Sequence, residues 1–195
     1  MIADRKGLNE ALAKRRIILL AGEITDYRAE EIMSQLLSMN VESNQEIKLI
    51  INSGGGDVES GLWIYDAMKL IAAPVVGIVV GECNSTALVV LQGCKRRVAT
   101  KHSKLLCHFV RYSATFPIHN GFEKKLRARI ERAKESQGYF EEILAERTKS
   151  TREVIVKLMK EGEMVGEFSA EKAKALGFID EVIETYEEVS EETKK

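Results

Sequence analysis

A chain of 195 residues that is 45% hydrophobic and holds two prolines is long enough to bury a full core and too apolar to be disordered. Its formal net charge of −1, with 30% charged residues, offers no basic field to nucleic acid or an anionic membrane, and neither partner is expected. Cys83, Cys94 and Cys107 form no CxxC pair and suit reduced thiols in a cytoplasmic compartment, and no disulfide framework, targeting segment or membrane span is expected.

Residues 1–16 are polar and charged, and the apolar run from Ile17 to Leu20 predicts a strand that ends at a glycine. After Asp26, a suitable cap, YRAEEIMSQLLSM stacks Ile32 above Leu36 and Met33 above Leu37, the spacing of an amphipathic helix. IKLIIN at 47–52 is a β-branched strand stopped by SGGGD, and from Val58 to Ile71 the period lengthens again into a helix. Pro74 opens VVGIVVG, a run apolar on both faces, as a parallel strand sandwiched between helices requires. The repeated βαβ pattern predicts an α/β fold with a mostly parallel sheet in a single domain, 1–195.

GECNST then reads as a polar turn, residues 86–93 as a short helix, and RRVAT at 96–100 and KLLCHF at 104–109 as two strands. RYSATFPIHNG is irregular. A long charged helix is predicted over roughly 121–147, with Phe122, Leu126, Ile130, Ala133, Phe140 and Leu144 along one narrow stripe suited to pairing with another helix. A shorter helix near 151–160 and a glycine-containing turn follow, then a helix that Ser169 caps and Gly177 ends, and IDEVIE as an edge strand. The acidic end of the chain, 186–195, lacks the apolar content to stay ordered.

Ser85 falls where the VVGIVVG strand gives way to a helix, beside backbone N–H groups that have no intrahelical partner. Such a position suits a nucleophile, although serine is also a preferred N-cap and the segment alone fits that role better. SGGGD and GECNST follow successive parallel strands, so both turns open at the carboxyl edge of the sheet, where α/β proteins bind ligands. SGGGD lacks the spacing of a phosphate loop; bare backbone N–H groups at Gly56 and Thr86 suit an oxyanion better.

Taken with SKLLCHF, these segments resemble the proteolytic subunit family of the ATP-dependent Clp proteases. INSGGGD is similar to the family's INSPGG turn, LWIYDAMKLI to the helix after it, GECNSTA to its nucleophile segment and SKLLCHF to the strand that carries its histidine. The similarity runs from RIILLAGEI through FSAEKAKALGFID. It implies a ClpP/crotonase-like fold with a projecting handle helix, and a serine peptidase with Ser85 as nucleophile, His108 as general base and Gly56 and Thr86 as oxyanion hole. It also implies peptide or unfolded-protein substrates, a homo-oligomer of stacked rings, an ATPase partner, and no metal or other cofactor in the subunit. His102 and His119 match nothing in the family pattern and read as solvated loop residues.

The departures are specific. Aligning FSAEKA with the family places Val165 where the third triad member, an aspartate, is expected; Glu163 and Glu167 are near enough in sequence to substitute if the GEMVGE turn shifts, although surface charge is the role that fits them better. FVRYSATFPIHNG replaces a glycine-rich strand that holds substrate, and the segment before RIILL is shorter than the family's axial hairpin. Two other readings follow: a weak or inactive structural ring subunit, and an acyl-thioester enzyme on the crotonase scaffold, where the pairing of Ser85 with His108 would have no purpose.

Overall fold

The computed structural model describes residues 5–112, 122–186 and 189. Its elements are α1 (Arg5–Ala13), β1 (Ile17–Ala21), α2 (Asp26–Glu42), β2 (Ile47–Ser53), α3 (Val58–Leu70), β3 (Val75–Asn84), α4 (Thr86–Gly93), β4 (Arg96–Thr100), β5 (Lys104–Leu106), α5 (Phe122–Thr148), α6 (Arg152–Val165), β6 (Phe168–Ser169), α7 (Ala170–Ala175) and β7 (Glu181–Ile183). The path β1-β2-β3-β4-β7 is parallel throughout, as the βαβ repeats require.

The sheet is less symmetric than a helix-covered sandwich. Buried residues of α2 through α7 join one large cluster with Ile18, Leu49, Val79 and Leu105, whereas Val76, Ile78, Val98, Ile183 and Val189 form a smaller cluster. The two sets alternate along β3, so they lie on opposite faces of the sheet. Val75 to Val79 are buried on both faces, as VVGIVVG predicts, with α2 through α7 on one face and Val189 among the residues on the other. Val189 is fully buried, and its carbonyl accepts a hydrogen bond of 3.1 Å from Arg96 Nη1. Of the acidic end expected to lack order, residues 187, 188 and 190–195 lie outside the described residues.

β3 is longer than its apolar run because GECN is strand, not turn. β2 takes two steps from Ile51 to Ser53 while β3 takes four, from Val79 to Cys83, so β3 bulges around Gly81. Gly81 has φ +99, and a Cβ there would lie 2.6 Å from Asn52 Oδ1, which also accepts from the Glu82 N–H at 3.2 Å. Beyond the bulge Glu82–Asn84 pair with β5, and β5 pairs antiparallel with the unanticipated β6. β5 stops at Leu106, so His108 lies past a strand end rather than on one.

Other boundaries shift for local reasons. Thr25, not Asp26, caps α2, its hydroxyl accepting from the Arg28 N–H at 3.3 Å. α1 forms within the segment expected to be merely polar, and Ala13 packs on the main core. α6 runs straight through Gly162 to Val165, and Gly166, at φ +85, ends it. α5 spans about 40 Å at 1.5 Å per residue, but its stripe is divided. Phe140 and Leu144 are buried in the protein's own core while Ile130 is 45% exposed, so the stripe does not present one uniform face.

Candidate active site

Ser85 stands at φ +57 and ψ −124, a backbone region rare for a residue with a Cβ, of the kind that costs roughly 1–3 kcal/mol and persists only where the surroundings impose it. Its N–H donates to Leu106 O at 2.9 Å, and its carbonyl accepts from Leu88 N at 3.0 Å. The side chain makes no capping hydrogen bond to α4, so the N-cap role favoured by the local sequence is not the one adopted. A half-buried serine on a strained strand-to-helix turn, its hydroxyl outside the helix cap, has the geometry of a nucleophile elbow.

The SGGGD turn is pressed against this elbow. Gly55, at φ +96, would place a Cβ 2.8 Å from both Asn84 O and Ser85 Cβ, and Gly56, at φ +151, would place one 2.2 Å from Ile24 O. Only glycine fits either position. Ser53 Oγ donates to Gly22 O at 2.6 Å and accepts from Gly55 N at 3.1 Å, while Ile24 N donates to Gly55 O at 2.9 Å. Thr86 is buried and its Oγ1 donates to Gly56 O at 3.1 Å, which fixes the two candidate oxyanion residues against each other. As the first residue of α4, Thr86 has an N–H with no intrahelical partner.

His108 reaches the same edge of the sheet because β5 runs parallel to the end of β3 and the Leu106 carbonyl holds Ser85. Among the described residues no hydrogen bond joins the Ser85 hydroxyl to His108. The His108 side chain is 10% exposed, and its Nδ1 lies 3.4 Å from Glu163 Oε1, close enough for electrostatic attraction but without a formed hydrogen bond, which leaves Nδ1 buried and unsatisfied. The other oxygen of that carboxylate, Oε2, accepts from Arg111 Nη2 at 2.7 Å. The Arg111 hydrogen bond chiefly, with His108 contributing, holds the Glu163 carboxyl below its ordinary range.

The structure sorts the remaining candidates. Val165, at the expected aspartate position, is 79% exposed, and the carboxylate beside His108 comes from two residues earlier. Glu167 is engaged elsewhere, accepting from Asn84 Nδ2 at 2.6 Å, and the same amide donates to Glu82 Oε2 at 3.0 Å. Cys83 is no rival nucleophile: burial pushes its thiol well above the usual range, as it pushes Cys107 up to about 12. His102 is exposed; His119 and Pro117 lie outside the described residues. Among the described residues no group of three or more His, Cys, Asp or Glu could hold a metal, and no helix is long and apolar enough to cross a membrane.

Sequence reasoning missed Arg111 and Gly162. The spacing of Arg111, three residues past His108, was the available signal for the first. A cleft of about 410 Å³ opens beside Gly56 between the start of α3 and the middle of α5, and Arg111, Arg129, Arg132, Asp57 and Glu59 give it a polar lining.

Ser85, held in this way at the carboxyl edge of a parallel sheet with glycines against it and His108 just beyond the end of the neighbouring strand, is an arrangement that suits a serine hydrolase on an α/β scaffold. Two comparisons narrow the class. The chain belongs to the Clp protease family, whose model matches residues 4–186. Its structure is similar to that of a point mutant of ClpP1 from Listeria monocytogenes, with a TM-score of 0.79 and 25% identity over 92% of this chain and 98% of that one.

Proposed function

We propose that this chain is the proteolytic subunit of a self-compartmentalised serine peptidase that cuts unfolded polypeptides. The observation that carries the reading is the elbow: Ser85 accepts an unfavourable φ, leaves its hydroxyl out of the helix cap, and is tied through its N–H to the strand that delivers His108. In the reaction Ser85 Oγ attacks the scissile carbonyl carbon and its proton passes to His108 Nε2. The N–H groups of Gly56 and Thr86 receive the developing oxyanion. The C–N bond breaks as His108 returns the proton to the leaving amine; water then gives its proton to His108 as it attacks the acyl-serine, the ester C–O bond breaks, and His108 returns that proton to Ser85 Oγ as the new carboxyl terminus leaves. A catalytic hydrogen bond that forms only on substrate binding is common in free enzymes, so the unjoined Ser85 and His108 suit a resting site.

Family membership supports peptide substrates and assembly into rings, and Ile130, exposed on α5, is an apolar residue suited to helix pairing between rings. An ATPase that feeds substrate, and a cytoplasmic location, belong to the same proposal. The second reading, a structural ring subunit, is favoured by the absence of an aspartate at Val165.

A serine-directed phosphonate decides between them. We expect it to label Ser85 and to block hydrolysis of a fluorogenic peptide, with Ser85→Ala removing both label and turnover, a loss on the order of 10⁶-fold. Parent-level hydrolysis by Ser85→Ala would overturn the assignment, and an unlabelled, inactive parent protein would favour the structural subunit.

A further inference from the structure

The residue beside His108 is not the one the family alignment supplies, and three features place it there. Gly162 is inside α6, where glycine costs about 1 kcal/mol relative to alanine, yet the helix does not break. A Cβ at that position would lie 1.9 Å from Cys107 O and 3.2 Å from Leu106 Cδ1, so only glycine lets the last turn of α6 rest on the backbone just before His108. That contact brings the next residue, Glu163, to 3.4 Å from Nδ1, a nearly enclosed atom with no other partner. Arg111, from the segment that follows His108, holds Oε2 at 2.7 Å and so turns Oε1 toward the imidazole.

We infer that Glu163 is the positioning residue for His108, with Gly162 setting its distance and Arg111 its rotation. The assignment rests on the serine-peptidase reading above. Glu163 accepts the Nδ1–H, which requires the pair to close by about 0.5 Å to ordinary hydrogen-bond length and leaves the Nε2 lone pair for the Ser85 proton. The carboxylate stays ionised throughout and no proton passes to it, so its work is to select the tautomer and stabilise the imidazolium that forms during attack. Glu167, bound to Asn84, takes no part.

The test combines kinetics with NMR titration of the imidazoles, of which the sequence has only three. Glu163→Gln should lower kcat by about 10²- to 10⁴-fold with KM changed less than about twofold. Removing a negative charge from beside an imidazole disfavours its protonated form, so the acid limb of the kcat/KM profile should move to lower pH. The His108 resonance, followed in the Ser85→Ala protein, should move the same way. Glu163→Asp retains the charge and should retain most of the titration midpoint; Glu167→Gln should leave both readouts unchanged. Arg111→Gln should cost only about 3- to 10-fold, and nothing further when added to Glu163→Gln, because it acts through the same carboxylate.

An unshifted His108 midpoint in Glu163→Gln, or a shift produced by Glu167→Gln instead, overturns the inference. Because the NMR readout uses the Ser85→Ala protein, it stands apart from turnover. Hydrolysis that survives Ser85→Ala would sink the serine-nucleophile reading without moving that midpoint, and a static midpoint would sink Glu163 while leaving Ser85 in place.

Discussion

Around Ser85 the backbone is held from several sides: Leu106 O, Leu88 N, Gly55 and the α4 helix all constrain it, and Thr86 is pinned to Gly56. Around His108 the support is thinner, a single carboxylate at 3.4 Å from a helix end, with its guanidinium partner 70% exposed. The two halves of one candidate site therefore sit on different foundations. The oxyanion and nucleophile half is part of the core and should fail together with it, whereas the histidine half hangs on a surface turn that can be altered while the fold survives.

The sharpest way to break that comparison is Gly56→Ala. Its Cβ would meet the Ile24 carbonyl at 2.2 Å, a backbone atom that cannot swing aside. Turnover should fall by about 10²- to 10³-fold through loss of an oxyanion donor, and the melting temperature should fall with it. Steady-state kinetics and calorimetry on the same sample check this, and activity lost at an unchanged melting temperature would show that the turn is less embedded than described.

Gly162→Ala probes the other half with a smaller expected effect. Alanine is the better helix former by about 1 kcal/mol, so propensity alone predicts stabilisation. The 1.9 Å approach to Cys107 O opposes it, and displacement of the last turn of α6 should lower kcat by about tenfold with only a modest loss of stability. An unchanged kcat would mean that α6 does not set the distance to His108. The smallest effect is expected from Val165→Asp, which the family pattern alone would have chosen to restore a triad. At 79% exposure the new carboxylate is solvated, and turnover should stay within about twofold and stability within about 0.5 kcal/mol.

The sequence carried enough to place most strands and helices within a few residues, because hydrophobic period and glycine position are local signals. The runs at Ile17, Ile47 and Val75 each form the predicted parallel strand, and the long charged helix begins and ends within a residue or so of its expected range. The turn that holds Gly56 and the strand-to-helix junction at Ser85 and Thr86 were legible because each is written in consecutive residues. Glu163 and Glu167 were not separable on sequence, since both flank the same turn and only the contacts differ.

Tertiary packing is what gives those two carboxylates different neighbours, His108 for Glu163 and Asn84 for Glu167. GEMVGE looks like a turn because glycine disfavours a helix interior, yet Gly162 remains helical where its missing side chain makes room for the Cys107 carbonyl, and the turn begins only at Gly166. The same kind of long-range constraint extends β3 through GECN by pairing it with β5, and divides the stripe of α5 into a buried end at Phe140 and Leu144 and an exposed one at Ile130. A residue's own period and neighbours determine its preferred conformation, but which atoms approach it from distant parts of the chain is set by how the elements stack, and the surroundings of His108 are of that second kind.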